Sequence, residues 1–117
     1  MSYNLFLDDI RDPNKFLKDE RTWVVVRNYN EFVKVITEKG LPDFISFDHD
    51  LSDVDQGKTS NFKEKTGYDC AKWLIEYCMR ANELLPKWQV HSMNSVGRNN
   101  INALLTRYKE REEDIYE

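Results

Sequence analysis

Four short apolar runs divide the chain, and each is nearly continuous rather than alternating with polar residues. They cover positions 4–7, 23–26, 44–47 and 88–91. Continuous apolar runs of this length are typical of strands that are buried on both faces of a parallel sheet. The pattern therefore predicts four parallel strands.

Helical signals lie between these runs. Asp12 and Pro13 predict the start of a short helix that continues through positions 16 and 17. A second helix takes Asn28 or Asn30 as its N-cap and ends at Gly40.

The third and fourth helices show the clearest period. The third begins with a capping box of Thr66 and Asp69, and the fourth begins near Asn94. Apolar residues then recur at helical spacing, which marks the buried side of each helix. They are Ala71, Leu74, Ile75 and Cys78 in the third helix, and Ile101, Leu104, Leu105 and Tyr108 in the fourth. The charged tail at 109–117 is expected to be a solvated helix end without a function.

Strands and helices thus alternate along the whole chain, which predicts an α/β fold with an open, doubly wound parallel sheet. In such sheets the reactive groups gather beyond the carboxyl ends of the strands. The polar segment 51–65 is too long for an ordinary connection and is a candidate lid, in which Lys58, Lys63 or Lys65 would meet phosphate.

Composition narrows the class of protein. The 117 residues carry 17 Lys and Arg against 21 Asp and Glu, a net charge of −4, and 40% of them are hydrophobic. Such a chain can enclose a core without metals or disulfides. No apolar run approaches the roughly 20 residues that cross a bilayer, and the N-terminus lacks the features of a signal peptide. We therefore expect a soluble, cytoplasmic protein without a membrane partner.

The charge balance and the cysteines exclude two further classes. A broad binder of nucleic-acid backbone needs a basic face, which an acidic chain does not favour, whereas a single nucleotide or an RNA end stays open as a partner. Cys70 and Cys78 are too far apart along one helix to form a disulfide and are expected to be reduced core residues.

Acidic residues follow the first and third strands directly. Asp8 and Asp9 come after the first, and Asp48 comes after the third. If these strands are neighbours, three carboxylates meet in one small volume and repel one another unless a cation or a proton relieves them. Oxygen ligands without cysteine favour Mg²⁺, with Mn²⁺ as a second choice. These three residues are the predicted metal ligands.

The two histidines of the chain also fall at predicted strand ends. His49 and Asp50 follow Asp48, and His91 ends the fourth strand. Either histidine is a candidate proton shuttle, and we assign the chemical role to His91, because it ends the fourth strand directly before Ser92 and opposite the acidic residues. Strand alternation leaves open that either histidine points into the flank of the sheet. Together with Asp48, these three residues make up the predicted catalytic set.

A further set of residues is predicted to bind phosphate oxygens, and it consists of Arg11, Ser92, Asn94 and Gly97. For Asn94, capping of the fourth helix is an equally good interpretation and is compatible with phosphate binding. Gly97, in the first turn of that helix, would let a ligand approach its N–H groups.

Four ordered motifs carry a resemblance to a known family. They lie at 5–13 (LFLDDIRDP), 46–51 (SFDHDL), 66–69 (TGYD) and 91–101 (HSMNSVGRNNI). Together they resemble the cyclic-phosphate processing receiver domain family, which is similar in fold to response-regulator receivers. The resemblance implies a flavodoxin-like domain over 1–117 with four strands in the order 2-1-3-4 and without the usual fifth strand. It also implies that Asp8 and Asp9 match the acidic pair, Asp48 the phosphoacceptor and Ser92 the phosphoryl-contacting hydroxyl.

Departures from a signalling receiver shape the functional hypothesis. A fifth strand with its terminal Lys has no counterpart here, while His49, Asp50, His91 and Asn94 add proton-transfer groups. The resemblance thus implies a Mg²⁺-dependent phosphoesterase for cyclic phosphates, such as RNA or nucleotide 2′,3′-cyclic ends. The alternative is a degenerate receiver that accepts phosphate or binds a protein partner. A third interpretation compares 48–50 with the Asp-x-Asp of haloacid-dehalogenase phosphatases, but its position after the third strand argues against it.

Overall fold

Four parallel strands form one sheet in the computed structural model, which describes residues 3–13, 22–51 and 65–116. The strands are β1 (Asn4–Leu7), β2 (Trp23–Val26), β3 (Phe44–Phe47) and β4 (Lys87–Val90). They are arranged in the order β2-β1-β3-β4, with all pairs parallel. This confirms the predicted receiver-like α/β fold.

The strands differ in burial because of their places in the sheet. β1 and β3 lie in the middle and are buried over three of their four residues. β4 lies at the edge and alternates between exposed and half-buried residues, with Lys87 and Gln89 exposed. The expectation of continuous burial was therefore wrong for β4, and its bounds lie one residue earlier than predicted. A charged residue on an edge strand also discourages pairing with another chain.

Within the described residues, three helices connect or follow the strands: α1 (Tyr29–Lys39), α2 (Gly67–Ala81) and α3 (Ser95–Tyr116). Two predicted N-caps are confirmed, since Asn28 Oδ1 accepts the Glu31 N–H at 2.9 Å and Thr66 forms a capping box with Asp69. Gly40, in the left-handed region at φ 84°, ends α1. The helix predicted through positions 16 and 17 lies outside the described residues.

The core fills the space between the sheet and these helices. Its largest buried side chains from the strands include Leu5, Leu7, Ile45 and Phe47, and those from the helices include Phe32, Ile36, Leu74, Ile101 and Leu105. Both cysteines are buried and free, as predicted, and burial raises the pKa of the Cys78 thiol to about 12. Among the described helices, none has the length and apolarity needed to span a membrane.

The C-terminal part of α3 corrects one expectation. Glu112 was assigned to a solvated helix end, yet it is only 5% exposed. Its Oε1 accepts the main-chain N–H of Leu85 at 2.7 Å, in the segment that leads into β4. A buried carboxylate of this kind is stable only with a partner. Glu112 therefore ties α3 to the start of the edge strand.

We expect Glu112→Ala to lower the free energy of unfolding by about 1–3 kcal/mol, because it leaves the Leu85 N–H buried without an acceptor. Glu110→Ala is the matched control, since Glu110 is exposed on the same helix and gains the same helix propensity. Urea unfolding of both variants measures the difference. Equal stabilities of the two variants would contradict the anchoring role.

Candidate active site at the carboxyl edge of the sheet

The register of the sheet brings three predicted residues to one place. Asp48 donates its main-chain N–H to Leu7 O at 2.9 Å, and His91 donates its N–H to Phe47 O at 2.9 Å. Asp8, Asp48 and His91 therefore follow three neighbouring strands at matching positions, and strand alternation puts their side chains on the same face. Ligand atoms from these three side chains lie within 4.8 Å of one another.

Asp8 is almost completely buried, with 1% of its surface exposed. Its Oδ1 accepts the main-chain N–H groups of Ile10 at 3.0 Å and Arg11 at 2.9 Å, and its Oδ2 lies 2.9 Å from His91 Nε2. Burial alone would raise the pKa of Asp8, but the bonds from His91, Arg11 and Ile10 outweigh burial and lower the pKa to about 2. Asp8 is thus held as a carboxylate.

His91 lies inside the flank of the sheet rather than in solvent. Its side chain is 4% exposed and stacks on the Phe6 ring, with the ring centroids 4.6 Å apart. Gln89 donates its amide N–H to Ser46 Oγ at 2.9 Å, and Ser46 Oγ lies 2.7 Å from His91 Nδ1. The Ser46 hydroxyl can donate its own proton to Nδ1, and in that tautomer the ring carries its proton on Nε2 toward Asp8.

Asp48 differs from Asp8 in its electrostatics. It is 8% exposed, and its Oδ1 accepts the His49 N–H at 2.8 Å. Burial raises its pKa first, and the charges of Asp8 and Asp9 raise it further, outweighing the lowering effects of His91 and of the His49 N–H. Asp48 therefore carries the negative charge that its surroundings compensate least.

His49 belongs to a second, more exposed group of side chains. His49 Nδ1 lies 2.9 Å from Asp50 Oδ1, and Asn94 donates its amide to both Asp50 oxygens at 3.3 Å. The exposed fractions of the His49 and Asp50 side chains are 18% and 67%. The bond from His49, and then that from Asn94, lower the pKa of Asp50 against the opposing effect of burial. His49 Nε2 has no hydrogen-bond partner among the described residues.

Two glycines allow the backbone and the His49 ring to approach closely. A Cβ at Gly97 would lie 2.3 Å from His49 Cγ, so the ring packs directly on the first turn of α3. A Cβ at Gly67 would lie 1.8 Å from Asp48 O, at the start of α2. Any side chain at either position would displace the site residues.

The predicted phosphate-binding residues lie around this site with varied roles. Asn94 Oδ1 accepts the Gly97 N–H at 3.0 Å and so caps α3, while its amide holds Asp50. Ser92 is 2% exposed, and its Oγ accepts the Asn94 N–H at 3.1 Å. The main chain of Arg11 holds Asp8. Phosphate binding by these four residues stays a prediction.

The segment 51–65 is described only at its two ends. Leu51 is buried, and Lys65 Nζ lies 4.7 Å from the centroid of the Tyr29 ring at the start of α1. The lysines at 58 and 63, and the lid itself, lie outside the described residues.

Two arginines near the site were not singled out from the sequence. Arg27 Nη1 donates to the main-chain oxygens of Asp8 at 3.2 Å and Arg11 at 2.5 Å, and Arg98 Nη1 donates to Ser92 O at 3.2 Å. The sequence could have indicated Arg27 as a site residue, because it directly follows β2 as Asp8 directly follows β1. Arg27 supports the loop that carries Asp8 and Asp9, and Arg98 supports the loop that carries Ser92 and Asn94.

A comparison with protein families agrees with this geometry. The model of the cyclic-phosphate processing receiver domain matches residues 3–107. The chain therefore belongs to the cyclic-phosphate processing receiver domain family. No curated protein and no solved structure gives a significant match.

The two buried carboxylates predict opposite effects on stability. The pKa of Asp8 is below its ordinary value of 3.8, so its contribution to stability is present above about pH 4 and is lost as the pH falls toward 2. The pKa of Asp48 is raised, so its contribution is present below its unfolded pKa and is lost as the pH rises. At pH 7 we expect Asp8→Asn to destabilise the metal-free protein by about 2 kcal/mol and Asp48→Asn to stabilise it.

Urea unfolding between pH 2 and 7 in EDTA measures both effects. Asp43→Asn is the control, because Asp43 is exposed at the opposite edge of the sheet. Effects of the same sign at pH 7 for Asp8→Asn and Asp48→Asn would show that the electrostatic assignment is wrong.

Proposed function

We propose that this chain is a metal-dependent phosphoesterase that opens cyclic phosphates, such as the 2′,3′-cyclic ends of RNA or nucleotides. The observation that carries the proposal is the pairing of a partly exposed His49–Asp50 dyad with the cluster of Asp8, Asp48 and His91 at the same sheet edge. A site that only accepts a phosphoryl group has no need of such a dyad. Membership of the family supports the choice of cyclic phosphates.

The residues present fit a hard divalent cation. Carboxylate oxygens of Asp8 and Asp48 lie within 4.8 Å of each other, and Asp9, which follows Asp8 but lies outside this cluster, offers a third oxygen ligand. The raised pKa of Asp48 reflects negative charge that a cation would offset. We therefore propose that these three residues hold Mg²⁺, or Mn²⁺ in its place. When bound, the ion would polarise a phosphoryl oxygen and stabilise the charge that develops there.

His49 is the proposed base. If its Nδ1–H donates to Asp50, the lone pair of Nε2 is left for proton transfer. A water molecule forms the new bond to phosphorus while its proton passes to His49 Nε2. The ring P–O bond breaks, and the same proton then passes to the leaving ribose oxygen. Atoms and charge balance without a further reactant.

Asn94 and His91 are proposed as positioning residues. Asn94 acts through Asp50, whose carboxylate orients the His49 ring. His91 acts through Asp8, because each of its ring nitrogens already faces a partner inside the sheet. The sequence favoured His91 as the proton shuttle, whereas these contacts support His49 in that role.

The phosphate oxygens need donors in this acidic site. We propose Arg11 and Ser92 as their contacts, with Arg98 added because its guanidinium lies against Ser92 O. Gly97 is left out of this set, because its N–H already donates to Asn94 Oδ1 at 3.0 Å and the His49 ring packs on it. A second candidate function is phosphate transfer to Asp48 itself, which the position of Asp48 directly after β3 supports. Incubation with acetyl phosphate distinguishes this function by a mass gain of one phosphoryl group that Asp48→Asn does not show.

The test is an assay with nucleoside 2′,3′-cyclic phosphates in Mg²⁺, in Mn²⁺ and in EDTA. We expect His49→Asn to lower kcat by roughly 10² to 10⁴-fold, the usual contribution of general acid–base catalysis. It should also remove the acidic limb of the pH–rate profile, which His91→Asn should keep. Asp50→Asn should lower kcat as well, because the amide cannot hold the same tautomer of His49.

Three outcomes would contradict parts of this scheme. Absence of hydrolysis with either metal would exclude the phosphoesterase. Full activity in EDTA would exclude the metal. Loss of the acidic limb in His91→Asn alone would transfer the proton shuttle to His91.

A further inference from the structure

A series of hydrogen bonds runs from the surface of the edge strand to the buried Asp8 carboxylate. It begins at Gln89, an exposed residue of β4, whose Nε2 donates to Ser46 Oγ at 2.9 Å. Ser46 Oγ lies 2.7 Å from His91 Nδ1, and His91 Nε2 lies 2.9 Å from Asp8 Oδ2. We call these four residues the Gln89–Asp8 network.

The sheet register places the members of this network side by side. Ser46 in β3 is paired with Gln89 in β4 and with Phe6 in β1. Because side chains two positions apart point to the same face of a strand, His91 follows Gln89 on that face. The His91 ring stacks on the Phe6 ring with an angle of 4° between their planes. The ring is therefore held by one aromatic contact and by a hydrogen-bond partner at each of its nitrogens.

The donors and acceptors of the network fit one direction of hydrogen bonding. The Asp8 carboxylate can only accept, so the proton between it and His91 belongs to Nε2. Ser46 is 0% exposed, and within the described residues its hydroxyl has two partners, Gln89 and His91. The Gln89 nitrogen can only donate, and a buried hydroxyl proton without an acceptor is costly. His91 Nδ1 is therefore the acceptor of the Ser46 proton.

We propose, building on the proposed function, that Ser46 and Gln89 are positioning residues of the active site. Through His91 they fix the orientation of the Asp8 carboxylate that would meet the divalent cation. Asp8 Oδ1 already accepts two main-chain N–H groups, so Oδ2 is the oxygen with a lone pair left for a cation. The bond from His91 Nε2 determines where that lone pair points.

Nitrogen NMR of the histidine rings in the metal-free protein at pH 7 tests the direction of the network. The wild-type spectrum should show a proton on His91 Nε2 and none on Nδ1. Gln89→Glu keeps the size of the side chain at an exposed position but replaces the donor with an acceptor. Ser46 should then donate to the new carboxylate, and His91 Nδ1 should gain a proton that it donates to Ser46 Oγ. The ring of His49, the other histidine of the sequence, is the internal control.

Lys87→Gln is the matched control variant. Lys87 is exposed two positions before Gln89, on the same face of β4. Its substitution makes the charge of the protein more negative by one, as Gln89→Glu does. We expect it to leave both His91 nitrogens as in wild type, because it does not touch the hydrogen bond to Ser46.

Calorimetric titration with Mg²⁺ measures the consequence for the site. Gln89→Glu and Ser46→Ala should each raise the Kd for Mg²⁺ by about 10–100-fold, the usual effect of removing a group that orients a metal ligand. Lys87→Gln should bind Mg²⁺ like wild type. The nitrogen spectra are needed beside the affinities, because a general loss of packing would not move a proton from one specified atom to another.

The outcomes distinguish this inference from the proposed function. A proton on His91 Nδ1 in wild type, or an unchanged Nδ1 in Gln89→Glu, would overturn the direction of the network and the roles of Ser46 and Gln89. Equal Mg²⁺ affinities of wild type, Gln89→Glu and Ser46→Ala would overturn the positioning role. The expected spectra and affinities without turnover of any cyclic phosphate would keep the positioning role and overturn the phosphoesterase.

Discussion

The burial of the Asp8 carboxylate is the constraint on which the rest of the site depends. A carboxylate with 1% exposure needs its charge met by hydrogen bonds, and three groups meet it. Two are the N–H groups of the loop that follows β1, and the third is His91 Nε2 from β4 at 2.9 Å. One side chain thus orders the first loop, joins β1 to β4 across β3, and holds His91 inside the sheet.

This arrangement gives different surroundings to the two carboxylates, Asp8 and Asp48, and to the two histidines. Burial and the charge of Asp8 beside it raise the pKa of Asp48, so Asp48 is the carboxylate with the most to gain from a cation. Because His91 is held by Ser46 and Asp8, the exposed imidazole is that of His49. Two titratable groups whose surroundings push their pKa values apart are a common feature of acid–base sites.

The sequence predicted most of the fold. Apolar runs located the strands, and capping residues located the starts of the helices, since both signals depend on local chemistry. The exposure of β4 was missed because a strand at the edge of a sheet has the same local composition as a central one. Glu112 was missed because its partner, Leu85 N–H, is 27 positions away in the chain.

The candidate site was predictable only in part, for a related reason. Acids at strand ends could be placed at one edge, because parallel strands end together. Whether the His91 side chain points into the flank of the sheet depends on its place in the alternation of side chains along the strand. The predicted fourth strand began one residue too late, so the sequence did not fix this orientation. The supporting role of Ser46 follows only once β3 and β4 are known to be neighbours, which brings Gln89 and His91 to its two sides. Asn94 both caps α3 and holds Asp50, because its side-chain oxygen accepts the Gly97 N–H while its side-chain nitrogen donates to the Asp50 carboxylate.

The central claim is that Asp48 carries an uncompensated charge that a divalent cation can meet, and calorimetric titration with Mg²⁺ at pH 7 tests it most directly. Wild type should bind one ion per chain, Asp43→Asn should bind like wild type, and Asp48→Asn should lose the binding. Mn²⁺ should give the same ranking of variants. Equal binding by wild type and Asp48→Asn, or no binding of either ion to wild type at millimolar concentration, would contradict the account.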